Sequence, residues 1–282
     1  MSREIDALTS FTLKHLRDRW WTPAWSAWVN NHLHCERGDR LVHVGCGNGE
    51  VDVALALATP GLEVVSVDRV PDRVRHTRDL GRDVQVALRG VVGDLRALPL
   101  AEGQFDAVVC LAVLQHLERP EDAAVALARL VRPGGRMLVL EPDHASRLWF
   151  SASPAGMRAF EKARRLFTRR HHEGSPDTPP RLGLHVASWL RGAGLEPLSV
   201  ETVPVAETRL GAPAPGAWDV REAAIAQLRA TARTEEQAEV DDLAAAVQAY
   251  RAEADLQADA FVEVQHAVLV ATVAQSPPGE DA

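Results

Sequence analysis

Three glycines follow an apolar run and could let the backbone lie close to a ligand. Residues 41–50 read LVHVGCGNGE, with Gly45, Gly47 and Gly49 at every second position. A glycine has no Cβ, so the chain can turn sharply there and approach a bound molecule. Loops that bind dinucleotides have the spacing G-x-G-x-x-G, which places a pyrophosphate at a helix N-terminus. Here the sixth place is Glu50, whose charge opposes a pyrophosphate, so the loop favours a ligand without phosphates.

A carboxylate ends the second apolar run of the chain. Asp68 closes the segment VVSVD, at about the twenty-residue spacing at which an acid accepts hydrogen bonds from ribose hydroxyls. Together with the glycine loop, Asp68 predicts a ribonucleoside site. The alternative interpretation is a tight turn closed by a capping aspartate.

The segments that must position these residues alternate between short apolar runs and helical stretches. From Asp39 to Glu141 the runs are almost continuously apolar, as in residues 107–111, AVVCL. A strand of that kind is buried on both faces, and strand-helix alternation is typical of a parallel sheet with helices on both sides. The sequence therefore predicts an α/β, doubly wound fold.

The remainder of the chain divides by composition. Aromatic and leucine residues at helical spacing in residues 1–34 predict an N-terminal helical lid. We expect the nucleoside-binding core at 35–143. The regular alternation lapses at 144–190, which predicts an inserted substrate cap. Residues 191–275 are expected to complete the core, with a helical insertion at 217–256.

Bulk composition limits the class of partner. The 282 residues carry a formal charge of −8, which disfavours broad binding to nucleic acid phosphates. No apolar run is long enough for a membrane span, no secretory signal is visible, and three separated cysteines suggest neither disulfides nor zinc. We expect a cytoplasmic monomer or homodimer that binds a small molecule, without nucleic acid, membrane or metal.

Residues 40–143 resemble the class I S-adenosylmethionine-dependent methyltransferases, particularly the group that includes ubiquinone and menaquinone methyltransferases. The segments that carry this resemblance are, in order, 44–49, 68–69, 93–100, 105–117, 131–136 and 141–143. The resemblance implies a Rossmann-like sheet of seven strands, mostly parallel, whose last strand is antiparallel and lies beside the fifth. It also implies S-adenosyl-L-methionine as the cofactor.

The resemblance further implies which residues hold that cofactor, from its methionine part to its adenine. They are His43, Gly45, Cys46, Gly47 and Gly49 at the first motif, Asp68 and Arg69 at the second, Gly93, Asp94 and Leu95 at the third, and Leu111, Gln115 and His116 in the fourth strand and the turn that follows it. Asp94 would accept a hydrogen bond from the adenine amino group. His43 departs from the family, which usually has an acid there that helps to hold the cofactor's amino group.

Methyl transfer is an in-line displacement in which alignment supplies much of the acceleration, so a general base is optional. Two histidines are candidates for such a base: His144, after the fifth strand, and His116, after the fourth. Each has a structural alternative, as a surface or capping residue and as an ordinary family position respectively. Glu141 and Asp143 could accept a hydrogen bond from a substrate amine, or tie down backbone amides.

Residues 158–172 are strongly basic and form either a solvated helix face or a cap that attracts an acidic substrate.

For the whole chain we expect methylation of an N, O or S atom of a small molecule, in bacterial secondary metabolism. One alternative is C- or O-methylation of a quinone or lipid-like ring. Another is a nucleoside-binding protein without catalysis.

Overall fold

The computed structural model describes Trp21 and residues 23–173, 181–211, 216–260 and 262–279. Seven strands form one sheet in the order β3-β2-β1-β4-β5-β7-β6. The strands are β1 (Arg40–Val44), β2 (Glu63–Asp68), β3 (Leu88–Val92), β4 (Phe105–Leu111), β5 (Val131–Ser151), β6 (Glu196–Leu210) and β7 (Val262–Gln275).

The helices of the described residues alternate with the strands in the first half of the chain and cluster in the second half. They are α1 (Pro23–Leu33), α2 (Glu50–Ala58), α3 (Pro71–Asp83), α4 (Pro120–Ala128), α5 (Pro154–Glu173), α6 (Leu182–Gly192), α7 (Ala217–Thr231) and α8 (Gln237–Leu256). Short 3-10 turns lie at Leu114–His116, Thr234–Glu236 and Ala258–Ala260. No helix among these residues is long and apolar enough to cross a membrane.

The sheet is mostly parallel, and its last strand in sequence runs the other way. β1 pairs in parallel with β2 and β4, β2 with β3, and β4 with β5. At the start of β5 the Gly134 amide donates to the Ser276 carbonyl, whereas beyond its end the Ala152 amide donates to the Val262 carbonyl. β7 is therefore antiparallel to β5. The predicted α/β fold, with an antiparallel seventh strand beside the fifth, is confirmed.

The first compact unit comprises residues within 1–143, 177–203 and 269–282. Its core is formed by apolar strand residues and the inner faces of the flanking helices. Fully buried members include Val42, Val108, Leu127, Val139 and Leu190. Because the central strands are covered on both faces, their residues are apolar in nearly every position.

The second compact unit comprises residues within 144–176 and 204–268. Its core is aromatic: the Tyr250 ring lies 5.7 Å from that of Phe160 and 5.1 Å from that of Trp218. The hydroxyl of Tyr250 donates to Glu263, which also forms an ion pair with Arg221. Burial raises the pKa of the Tyr250 phenol, so this group stays neutral and serves as a hydrogen-bonding member of the core.

These units differ from the predicted domain boundaries in two respects. β5 continues to Ser151, beyond the predicted end of the core at residue 143, because β7 pairs with it along that length. The helices at 217–256 share a unit with 144–176, since α8 packs against α5, whereas α6 contributes to the core of the first unit.

Candidate active site

The loop between β1 and α2 has a backbone that glycine alone adopts readily. Gly45, Gly47 and Gly49 have φ angles of 83°, 58° and 86°, in the left-handed region. The Gly45 amide donates to the Val67 carbonyl at 2.8 Å, which fixes the loop against β2. A Cβ on Gly45 would lie 2.2 Å from Cγ2 of Val113, so this residue also permits close packing against the turn after β4.

Asp68 lies at the carboxyl end of β2 and faces the glycine loop. Its Oδ2 accepts from the Gly47 amide at 3.0 Å, and its Oδ1 accepts from the Val70 amide at 2.9 Å. The Arg73 guanidinium lies 3.7 Å from the same carboxylate, and both side chains are almost entirely buried. Since a carboxylate offers about four acceptor positions, Asp68 can hold the loop and still accept from two ribose hydroxyls.

A cavity of about 690 Å³ lies at the ends of β2 and β3, and its lining begins at Arg69, the residue after Asp68. Its lining comprises Arg69, Val70, Pro71, Val92, Gly93, Asp94, Ala97 and Pro99. Asp94 forms a two-point ion pair with Arg96, with N···O distances of 2.9 and 2.6 Å, and this contact lowers the pKa of Asp94 to about 2. The carboxylate of Asp94, in the wall of this cavity, can accept a hydrogen bond from an adenine amino group. The residues present therefore fit the nucleoside of S-adenosylmethionine.

Cys46, Leu95 and Gly93 are further residues predicted to lie at the cofactor site. The Cys46 thiol is buried, 3.6 Å from the Gly47 carbonyl, and Leu95 is buried in the core. A Cβ on Gly93 would lie 2.8 Å from Cδ of Pro99, so the lack of a side chain there lets the cavity wall close.

The turn after β4 is fixed by hydrogen bonds to the side chain of Glu141. Leu111 is buried, the Gln115 side chain donates to the Ala112 carbonyl at 3.2 Å, and His116 ends the 3-10 turn, half-buried. Oε1 of Glu141 accepts from the amides of Val113 and Leu114 at 2.9 and 2.7 Å. Of the two roles considered for this acid, the one in which it binds backbone amides is confirmed.

His43 has an acidic partner that the sequence analysis did not identify. Its Nδ1 lies 2.8 Å from Oδ2 of Asp52, the third residue of α2, and both side chains are fully buried. Ser66 donates to the other oxygen of Asp52 at 2.5 Å. An acid in the first turn of a helix is commonplace, and nothing in the sequence distinguishes Asp52 from Glu50, two residues before it.

His144, the first candidate base, lies within β5 instead of after it, and its side chain is outside the described part of the structure.

The basic segment 158–172 lies on α5, and the side chains of residues 167–173 are also outside the described part of the structure. Elsewhere on α5 three basic residues have acidic neighbours: Lys162 pairs with Asp242, Arg165 pairs with Glu161, and Arg158 lies 3.7 Å from Glu253. These contacts favour the solvated helix face over a cap for an acidic substrate.

The described residues contain no group of three or more histidine, cysteine or acidic side chains arranged to hold a metal ion.

In α1, the described part of the predicted N-terminal lid, the rings of Trp25 and Trp28 lie 5.3 Å apart and that of His32 lies 4.1 Å from Trp28. His32 also contacts Glu201 of β6 at 2.9 Å. The expected helix before residue 21 falls outside the described residues.

Comparison with known protein families gives a match to the methyltransferase domain over residues 42–139. The ubiquinone biosynthesis O-methyltransferase of Xanthomonas axonopodis pv. citri is 32% identical over 196 residues, covering 64% of this chain and 77% of the relative. That of Xylella fastidiosa strain M23 is 28% identical over 207 residues, covering 68% and 77%. That of Pseudomonas putida F1 is 25% identical over 204 residues, covering 68% and 84%.

Solved structures share the fold at low sequence identity. A methyltransferase-like protein of Bacillus halodurans C-125 has a TM-score of 0.56 at 17% identity, covering 89% of this chain and 98% of that one. The [4+2]-cyclase SpnF has a TM-score of 0.54 at 20% identity, covering 91% and 81%. Since a cyclase shares this architecture, the fold alone does not define the reaction.

Proposed function

This chain belongs to the class I S-adenosylmethionine-dependent methyltransferases, and from that premise we propose that it methylates a hydroxyl oxygen on the ring of a small quinol-like or phenolic molecule. The observation that carries the proposal is the extent of the likeness to the ubiquinone biosynthesis O-methyltransferases. It covers 196 residues at 32% identity, well beyond the domain match at 42–139. The likeness thus includes segments outside the cofactor-binding motifs.

The cofactor supplies a methyl group on a positively charged sulfur. In the proposed reaction the bond from that carbon to sulfur breaks as a bond to the phenolic oxygen forms, and S-adenosylhomocysteine leaves. The protein's part is chiefly alignment and exclusion of water. Asp68 and the glycine loop would hold the nucleoside, and Glu141 keeps the turn after β4 in place through the Val113 and Leu114 amides.

The phenolic proton must leave during the transfer. A phenol has an ordinary pKa of about 10, so a base assists its ionisation at neutral pH. We assign this role to His144, with His116 as the second candidate. Residues 1–34 and 144–190 are the segments that we propose to select the acceptor.

The proposal is tested by incubating the purified protein with S-adenosylmethionine and three acceptor classes: prenylated catechols or hydroquinones, primary amines, and thiols. We expect a methyl ether and an equal amount of S-adenosylhomocysteine with the ring hydroxyls alone. Formation of an N-methyl or S-methyl product in place of the ether would refute the proposed acceptor. Cofactor binding without turnover on any acceptor would also count against it and favour a non-catalytic nucleoside-binding protein.

A further inference from the structure

A buried carboxylate joins the two ends of the glycine loop. The loop, residues 45–49, leaves β1 just after His43 and enters α2 just before Asp52. Asp52 contacts His43 Nδ1 at 2.8 Å, so one side chain links the end of the strand to the first turn of the helix. The separation of these two elements therefore depends on this contact.

The same carboxylate also contacts the next strand. Ser66 lies opposite His43 in the parallel register of β1 and β2, and its hydroxyl donates to Oδ1 of Asp52 at 2.5 Å. Two residues further along β2 lies Asp68, whose carboxylate accepts from the Gly47 amide. Asp52 thus joins β1, α2 and β2, the three elements that carry the glycine loop and Asp68.

The network is suited to a negative charge at Asp52. A carboxylate has no proton to give, so Nδ1 of His43 and the hydroxyl of Ser66 are the donors. Asp52 also lies in the first turn of α2, where the free amides and the positive end of the helix favour an anion. All three side chains have no exposed surface, so replacing any one alters a polar contact from which water is excluded.

We propose that Asp52 is a positioning residue for the cofactor: acting through His43 and Ser66, its carboxylate sets the distance between the glycine loop and Asp68. It provides from a helix the buried negative charge that the family resemblance places on β1 at position 43. This inference depends on the cofactor of the family and not on the acceptor proposed above.

The test measures binding of S-adenosylhomocysteine by calorimetry, well below the melting temperature of each variant. Asp52→Asn keeps the shape but removes the charge, and we expect the Kd to rise about tenfold. Ser66→Ala removes one neutral donor, and we expect a rise of about three- to fivefold. Asp122→Asn is the matched control: Asp122 is also the third residue of its helix, α4, but its side chain is 58% exposed, and its Kd should equal that of the wild type.

A second pair of variants tests whether affinity depends on having one negative charge at the pair His43 and Asp52. His43→Asp places two carboxylates against each other without water, and we expect a larger rise in Kd than in Asp52→Asn. Adding Asp52→Asn to it restores one carboxylate facing a neutral partner and should recover most of the affinity. The proposal is overturned if Asp52→Asn melts earlier but binds as tightly as the wild type, or if the double variant binds no better than His43→Asp. Should His43→Asp not fold, Asp52→Asn and Ser66→Ala decide the matter.

Discussion

Glu141 of β5 accepts a hydrogen bond from the backbone amide of Leu114 at 2.7 Å, which ties the fifth strand to the turn after the fourth. The same oxygen accepts from Val113, and the Gln115 amide lies 3.4 Å from the other oxygen. Burial, and the negative charge of Glu141, raise the pKa of the neighbouring Cys110 thiol. Glu141 is thus engaged by the backbone and unsuited to act as a base.

Replacement of Glu141 by glutamine should destabilise the protein. The charge is lost and a side-chain amide group is brought close to backbone donors, so we expect a loss of about 2 to 3 kcal/mol in the free energy of unfolding. Urea denaturation measures this. Glu102→Gln is the control, since its side chain is 69% exposed, and it should change stability by less than about 0.5 kcal/mol. Equal stability of the two variants would contradict the assignment.

Asp68 should contribute directly to cofactor affinity. Asp68→Ala removes a charged acceptor from two ribose hydroxyls, and we expect binding of S-adenosylmethionine to weaken by about 2 to 3 kcal/mol. Asp68→Asn keeps one oxygen for the Gly47 amide and should lose less. Calorimetry with S-adenosylmethionine gives both values, and unchanged affinity in Asp68→Ala would remove this residue from the site.

The glycine at position 45 is required for two separable reasons. Gly45→Ala meets a steric clash, because the new Cβ would lie 2.2 Å from Val113, and a strained φ of 83°. Gly103→Ala isolates the second effect, since φ there is 64° with no neighbouring atom within 4 Å. We expect a loss of about 1 to 2 kcal/mol of stability in Gly103→Ala and a larger loss in Gly45→Ala.

The double variant Gly45→Ala with Val113→Ala relieves the clash but keeps the strain. Its stability relative to Val113→Ala alone should therefore fall by about the amount measured for Gly103→Ala. If Gly45→Ala and Gly103→Ala lose the same stability, the contact with Val113 has no energetic importance.

The glycine loop and Asp68 could be predicted because their chemistry is local and their spacing is characteristic. Asp52 could not, since its importance comes from His43 and Ser66, which reach it only after β1 and β2 pair. The length of β5 was missed for a similar reason. Its second half contains Glu141, Pro142 and Asp143, which are typical of a strand end, and the partner that extends it, β7, lies more than a hundred residues away in the sequence.

Asp94 should titrate unusually low, because Arg96 binds its ionised form. Its pKa in the folded protein is about 2, against an ordinary value of 3.8. A lowered pKa means that the stability from this pair is present above the ordinary value and is lost as the pH falls towards 2. Arg96→Ala should therefore return the pKa of Asp94 towards 3.8. Carboxyl carbon NMR shifts measured through acid titration check this, and an unchanged midpoint would contradict it.

His144 is the candidate general base, since it follows Glu141, Pro142 and Asp143 along β5 and sequence reasoning places the acceptor near that segment. If it removes the phenolic proton, His144→Ala should lower turnover by about 10² to 10⁴-fold, with little change in the Kd for S-adenosylhomocysteine. A histidine base must be neutral, and the ordinary histidine pKa is about 6.5, so the acidic limb of the pH profile should flatten in this variant.

Two further variants make the result for His144 specific. His76→Ala removes an exposed histidine on α3 and should leave turnover unchanged. His116→Ala tests the second candidate, and a large loss there with none in His144→Ala would transfer the role to His116. Turnover within a few-fold of the wild type in both variants would reject a histidine base altogether. In that case an acceptor that is already ionised at the working pH would react through alignment alone, because a deprotonated oxygen needs no proton acceptor.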